Sequence, residues 1–314
     1  MLSENSGVPI GMVNSPGTRD HGKIIHVLPE DSESPELKVD VRNPMETLGL
    51  PFFRKLVPRM TGKDISIMNA HLKLGEPPIK YPYLLEGYNK AVEALNGTIG
   101  KDLKLFGKAT MIPLFDPNLE RECDYIAGVA GVGKSTYASD RARLYHELYP
   151  DNKIFNFTEV RDDPAYADLP ITYITINDEL MNKEDPVRPE EFEDSMVIFD
   201  DIDAIVDDKL LKAVRKIRDR MLSIGRHSRI CVITTTHMLC NGHETKVPLA
   251  EARSITFFPQ SGSMLGNIKT YLEKHAQLPK PMVEKTMNLR SRWATHVKSY
   301  PACILHEHGI YLTR

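Results

Sequence analysis

No run of eighteen apolar residues occurs in the 314-residue chain, which argues against a membrane-spanning helix. The opening Met-Leu-Ser-Glu-Asn-Ser-Gly has neither a basic flank nor an apolar core, so no secretory signal is expected. Cysteine is scarce. Cys123, Cys231, Cys240 and Cys303 are scattered, and two of them fall in runs that read as core strands. That pattern argues against a disulfide framework and for reduced thiols in an intracellular compartment. Neither sign of charge dominates. A net charge of −3 with 41% hydrophobic and 26% charged residues is an ordinary globular balance, and the length suits one large α/β domain with appendages or two small domains. Two Cys-x-x-His pairs, Cys240–His243 and Cys303–His306, could in principle share zinc. However, Cys303 and His306 would point to opposite faces of an alternating strand, so core and loop roles explain them better.

Against these absences stands GVAGVGKST at residues 128–136, which fits G-x-x-x-x-G-K-[ST] at every position. Gly128, Val129, Ala130, Gly131, Val132, Gly133, Lys134, Ser135 and Thr136 form a loop whose small residues let backbone N–H groups approach a polyphosphate. Lys134 is expected to reach the β- and γ-phosphates of ATP, and the Ser135 hydroxyl to hold Mg²⁺. The loop needs a strand before it and a helix after it; Cys123-Asp-Tyr-Ile-Ala and the stretch from Tyr137 onward supply both.

A second motif is Ser195-Met-Val-Ile-Phe-Asp-Asp-Ile-Asp203. Its short apolar run ends abruptly in carboxylates, as a buried parallel strand does when it delivers charge to its C-terminal edge. Open α/β sheets bind ligands at that edge. Asp200 is placed to join the Mg²⁺ shell as a Walker B aspartate, and Asp201 to polarise the attacking water.

Residues 1–45, rich in Pro, Gly, Ser and Asp, read as an extended or partly disordered arm. Residues 46–108 read as a small helical region; Leu84, Leu85, Tyr88, Ala91, Val92 and Leu95 have the spacing of one buried helix face. An ATPase domain is expected over 109–314. Its expected strands lie at 110–115 (an edge strand, because of Pro113), 123–127, 153–158, 171–176, 196–199, 229–237 and 254–258. A closing hairpin is expected at 302–306 and 309–312. The predicted fold is thus an α/β P-loop NTPase core, a mainly parallel sheet covered by helices on both faces, plus a mostly helical N-terminal extension.

A helix predicted over 208–224 sorts its residues sharply. Leu210, Val214, Ile217, Met221 and Ile224 make an apolar stripe, while Lys209, Lys212, Lys216 and Arg220 lie on the other side. Between Asp208 and Arg229 eight Lys/Arg stand against two Asp. A basic face can track nucleic-acid phosphates, and an ordinary solvated helix face looks the same.

The strand ending Thr234-Thr-Thr-His237 offers a polar tip where many P-loop ATPases place a sensor of the γ-phosphate. Taken in order, the P-loop, the Phe-Asp-Asp block and Gly225-Arg-His-Ser-Arg-Ile-Cys-Val-Ile-Thr-Thr-Thr-His237 resemble the FtsK/HerA superfamily. Within it they look like the genome-packaging ATPases of large and polinton-like eukaryotic DNA viruses. Glu251-Ala-Arg-Ser-Ile-Thr-Phe-Phe-Pro259 and Ser291-Arg-Trp293 extend the likeness, which runs from about Ala109 to the C-terminus and leaves the first hundred residues uncovered. The resemblance implies a homo-oligomeric ring, hexameric by analogy, that hydrolyses ATP to drive double-stranded DNA into a capsid, in the host cell or virion, with capsid proteins as partners and no membrane. It also implies that Asp201 replaces a more usual glutamate and His237 a more usual glutamine, which histidine can imitate as a hydrogen-bond donor. A neighbour's arginine would complete each site, with Arg226 the first candidate and Arg253 the second.

The absence of a Leu-Ser-Gly-Gly-Gln-like signature argues against a transporter ATPase, and no phosphoacceptor site or lid arginines mark a small-molecule kinase. The rivals are a DNA helicase or conjugation-type translocase on the same core, and an ATP-gated assembly switch without sustained turnover.

Overall fold

Val197 and Phe199 face one side of their strand and Met196 and Ile198 the other, and all four are fully buried. Only a strand covered on both faces can be apolar throughout. In the computed structural model this strand, β10 (Met196–Phe199), runs parallel between β8 (Ile154–Thr158) and β11 (Cys231–Thr236). The described residues are all except 6, 29–43, 50, 53–59, 96, 160–162, 178–186, 300 and 314. They divide into two compact units, Met1–Ile112 and Pro113–Arg314.

In the second unit the parallel strands run in the order β12 (Ser254–Phe257), β7 (Cys123–Ala127), β11, β10, β8 and β9 (Ile171–Thr175). Three antiparallel strands continue from β12: β13 (Ala294–Val297), β14 (Cys303–His306) and β15 (Gly309–Leu312). On one face Tyr137, Ala138, Ala142 and Tyr145 of the helix Lys134–Leu148 pack on Ile126, Ile198 and Ile233. On the other, Leu210, Val214, Met221 and Leu222 of the helix Asp208–Ile224 pack on Phe157, Val197, Phe199 and Val232. The sheet is therefore mainly parallel with helices on both faces, as the alternating pattern requires. The strand β13 has no counterpart in the sequence reading; its Ala-Thr-His-Val run is too short and mixed to stand out.

Correction is needed in the first unit, which holds a sheet as well as the predicted helices. Strands β1 (Leu2–Ser3), β2 (Val8–Asn14), β3 (Ile24–Val27), β4 (Thr98–Gly100) and β6 (Thr110–Pro113) form a five-stranded sheet in the order β4-β1-β3-β2-β6. A further short strand, β5, spans Asp102–Lys104. The predicted extended or partly disordered arm therefore forms paired strands over most of its first 28 residues, and residues 29–43 lie outside the described residues. Glycine and proline there mark turns. Gly7 has φ +113° and a Cβ at that position would lie 2.6 Å from the Val27 carbonyl oxygen, so the strands approach too closely for any other residue. Of the predicted 110–115 strand, Thr110–Pro113 forms, as an edge strand of this sheet and not of the ATPase sheet. Helices α1 (Pro44–Leu48), α2 (Gly62–Leu74) and α3 (Pro82–Leu95) are present within the predicted helical region. Tyr88, Ala91, Val92 and Leu95 of α3 are buried with Met68 and Leu72 of α2, while Leu85 is only partly buried.

The helices of the second unit are α4 (Lys134–Leu148), α5 (Asp208–Ile224), α6 (Lys246–Glu251), α7 (Leu265–Thr270) and α8 (Lys280–Met287). Helix α4 is anchored by a buried ionic cluster. Arg141 donates from Nε to Asp124 at 2.9 Å and from Nη2 to Glu122 at 2.8 Å, and lies 3.8 Å over the Phe115 ring. Ser254 also donates to Asp124, and Arg253 to Glu122. Removing the guanidinium strands two buried carboxylates, which costs far more than the intact cluster gains. Arg141→Ala is expected to lose about 3–5 kcal/mol of stability in urea unfolding; a loss below 1 kcal/mol would contradict an anchoring role.

Candidate nucleotide site

Strands β7, β10 and β11 are parallel, so the residues that follow them gather at one edge of the sheet. The loop after β7 is tied to β11 where the Gly128 N–H donates to the Thr236 carbonyl at 3.0 Å. Gly128 is the tight point: a Cβ there would lie 2.6 Å from the Val132 side chain and 2.7 Å from the Phe258 ring. Gly131 and Gly133 have φ of +78° and +103°. Val129, Val132 and Ser135 are half-buried, Ala130, Gly131 and Thr136 exposed. Gly133 caps α4 and has no side chain to take up the amides of the first turn. A helix start of this kind, with its positive dipole end, suits phosphate oxygens.

Lys134 is buried, yet its ammonium lies 3.2 Å from Asp201 Oδ1 and 3.5 Å from the Val129 carbonyl. His237 Nε2 lies 3.7 Å from the same Asp201 oxygen. Three residues separated widely in sequence therefore meet in front of the loop. Asp201 is held in the left-handed region at φ +46°, an uncommon conformation for a non-glycine residue. Thr235 keeps it there. Its hydroxyl accepts from the Asp201 N–H at 2.7 Å and donates to Asp200 Oδ1 at 2.6 Å. One threonine thus orients both carboxylates. The polar strand tip is legible in the sequence, but nothing in its three consecutive threonines marks Thr235 as the one whose hydroxyl reaches across to β10.

Asp200 is buried at the end of β10. Burial pushes its carboxyl above the ordinary range, the Thr235 hydroxyl works against that, and the neighbouring Asp201 charge adds to it. The neutral form of Asp200 therefore stabilises the fold fully below its unfolded pKa, and that contribution is lost as pH rises through the raised folded value. Asp200→Asn is expected to melt at or above the wild-type temperature at pH 7, with the difference shrinking as pH falls into the carboxylate range, while ATP hydrolysis drops at least a hundredfold. A variant that melts lower and hydrolyses normally would overturn the metal-site reading.

The donor set fits ATP with Mg²⁺: main-chain N–H groups and an ammonium for phosphate, a hydroxyl and a carboxylate for a hard cation. Thr236 and Arg215 brace the adjoining turn. The Thr236 hydroxyl donates to Asp203, Arg215 lies 3.0 Å from Asp203, and the same guanidinium reaches Glu244 at 2.6 Å. Arg226 is not brought into this site. It is exposed in the turn Gly225–Ser228 before β11, at the other edge of the sheet and about 20 Å away along a six-residue strand. Arg253 also precedes its strand, and its guanidinium is spent on Glu122 and, at 3.4 Å, on Asp116.

No protein-family model matches the chain. Among solved structures it is similar to the genome-packaging NTPase B204 of Sulfolobus turreted icosahedral virus 2 in complex with ATP-gammaS, with 13% identity over 59% of this chain and 97% of that one and a TM-score of 0.40. It is also similar to the pCW3 conjugation coupling protein TcpA, with 14% identity over 67% of this chain and 66% of that one and a TM-score of 0.38. Similarity this slight fixes neither activity nor partner. In sequence, the chain is 36% identical over 213 residues, 67% of its length and 84% of the other's, to the uncharacterized protein V3 of Sputnik virophage. The chain belongs to the same protein family as V3 of Sputnik virophage.

Proposed function

We propose that the chain is a P-loop ATPase that translocates double-stranded DNA and packages viral genomes into capsids, working as a homo-oligomeric ring of six. The convergence of Lys134, Asp201 and His237 in front of the 128–136 loop carries the reading. A nucleotide switch needs groups that bind; this site adds a carboxylate and an imidazole beyond the lysine, in position to act on water.

In the proposed reaction the loop amides and Lys134 hold the phosphates. Water attacks the γ-phosphorus, the bond to the bridging oxygen breaks, and ADP and phosphate result. Asp201 accepts a hydrogen bond from the attacking water and draws off its proton. His237, beside Asp201, donates to phosphate oxygen. Ser135 and Asp200 would hold Mg²⁺, which when bound neutralises charge on the β- and γ-phosphates. Lys134 must exchange its contact with Asp201 for the phosphates, and the freed carboxylate then faces the water. Arg226, exposed at the opposite edge of the sheet, is suited to a neighbour's site and not to its own.

The test is displacement of a triplex-forming strand from a linear duplex. ATP-dependent displacement with the duplex left intact is expected. Separation of the duplex strands would move the assignment to a helicase, and hydrolysis with neither outcome would overturn translocation.

A further inference from the structure

We propose that the exposed face of α5 is the surface that grips the phosphate backbone of double-stranded DNA, through Lys209, Lys212, Lys216 and Arg220. The inference rests on the reading of the chain as a DNA translocase and names where on this chain the duplex is held.

At 3.6 residues per turn the four side chains fall within an arc of about 80° and span about 16 Å along the helix. All four are exposed. Among the described residues none of them forms a salt bridge, although the chain as a whole is slightly acidic. Elsewhere exposed helix cations are either paired, as Lys90 is 2.6 Å from Glu86 and Lys269 3.7 Å from Glu273, or without a salt bridge among the described residues, as Lys63, Lys73 and Lys280 are; α5 differs in bringing four onto one arc. Helix α5 itself sorts its arginines. Arg215 is tied to Asp203 and Glu244, and the buried Arg218 to Asp219 at 2.7 Å. The arginines that turn inward are partnered, while the outward cations are left to solvent. Asp219, which borders the arc, is taken up by Arg218. Asp207 and Asp208 stand at the helix start, where Asp207 caps the Lys209 and Leu210 amides. No acid falls within the arc itself.

The spacing suits a duplex. Along 16 Å of axis one DNA strand presents about five phosphates, at one per 3.4 Å. Four cations on a rigid rod can each meet one. The helix also begins only seven residues after Asp201, and its inner arginine Arg215 holds Asp203, which Thr236 at the tip of β11 holds from the other side. A load on the basic face is thus carried by side chains directly into the turn that positions the hydrolytic carboxylates.

The experiment compares the wild type with the quadruple variant Lys209→Gln, Lys212→Gln, Lys216→Gln, Arg220→Gln. A control removes the same charge at four other exposed lysines, Lys153, Lys269, Lys274 and Lys280, each to Gln. Binding to a 30-base-pair duplex is measured across salt, together with ATPase activity without DNA. The α5 variant is expected to bind at least a hundredfold more weakly at low salt, with the slope of log affinity against log salt smaller by about 3.6. Its DNA-free ATPase rate is expected to stay within twofold, because none of the four touches the nucleotide site. The control is expected to keep the wild-type slope. Unchanged affinity and slope in the α5 variant, or an equal loss in the control, would overturn the inference while leaving the translocase reading intact. A wild type that hydrolyses ATP yet binds no duplex would overturn both. Should the quadruple variant not fold, Lys212→Glu with Lys216→Glu replaces it: weaker binding with a slope smaller by about 1.8 is expected, and unchanged affinity and slope would overturn the inference.

Discussion

Lys134→Ala is expected to reduce ATP hydrolysis about a thousandfold or more and to weaken nucleotide binding at least tenfold. Lys134 carries a buried positive charge at the loop, and losing a single charge-stabilising donor costs about 10²–10³ in rate even when binding survives. Here the same group also contributes to binding, so both quantities fall. The fold should persist. Asp201, the partner left behind, is about one-third exposed and can be solvated when the ammonium is gone. Phosphate release, binding of a fluorescent ATP analogue and a melting curve separate these effects. Hydrolysis at the wild-type rate in a folded variant would remove the 128–136 loop from consideration as the site.

Asp201→Asn is expected to separate binding from turnover. The amide keeps the shape of the side chain and its reach toward Thr235, but it is a poor proton acceptor. It also relieves the contact with Lys134 at 3.2 Å, freeing the ammonium for phosphate. Nucleotide affinity should therefore be equal to or greater than that of the wild type, while single-turnover hydrolysis drops about 10²–10⁴-fold, the range over which a positioned acid–base group acts. The position is strained: φ of +46° suits asparagine as well as aspartate, so the backbone conformation survives the change. Affinity and turnover falling by the same factor would mean that Asp201 holds Lys134 or the loop and takes no part in water activation. His237→Ala should lower turnover less, because His237 reaches the site from 3.7 Å and through Asp201.

The parallel core was legible because its cues are local and periodic. The loop glycines, the apolar run ending at Asp200 and the polar tip of β11 each state their place in a sheet without reference to distant residues. Both faces of β10 being apolar already required helices on either side, and the stripe on α5 supplied one of them. The N-terminal unit misled for a physical reason. Its strands are short, two to seven residues, and their partners lie far along the chain, with β1 pairing to both β3 and β4. Composition rich in turn formers marks hairpin corners as well as disorder, and only the pairing distinguishes the two. Within the site, residue types announced Lys134, Asp200 and Asp201, whereas Thr235 was hidden among three consecutive threonines. Its role depends on which of them faces β10, a fact of register and not of composition. The arginine question turned on the same point: Arg226 and Arg253 both precede their strands, so the parallel topology sends them away from their own loop. The buried cluster around Arg141 went unread because Glu122, Asp124, Arg141 and Arg253 converge only after the strands are aligned.

The central claim is that hydrolysis at the loop serves movement along duplex DNA. The steady-state ATPase rate of the wild type, measured with and without double-stranded DNA over a range of salt, tests it most directly. Stimulation by duplex that is strong at low salt and fades as salt rises is the result expected, since contacts to the phosphate backbone release counterions. A rate indifferent to duplex DNA at every salt concentration would contradict the account and leave a nucleotide switch in its place.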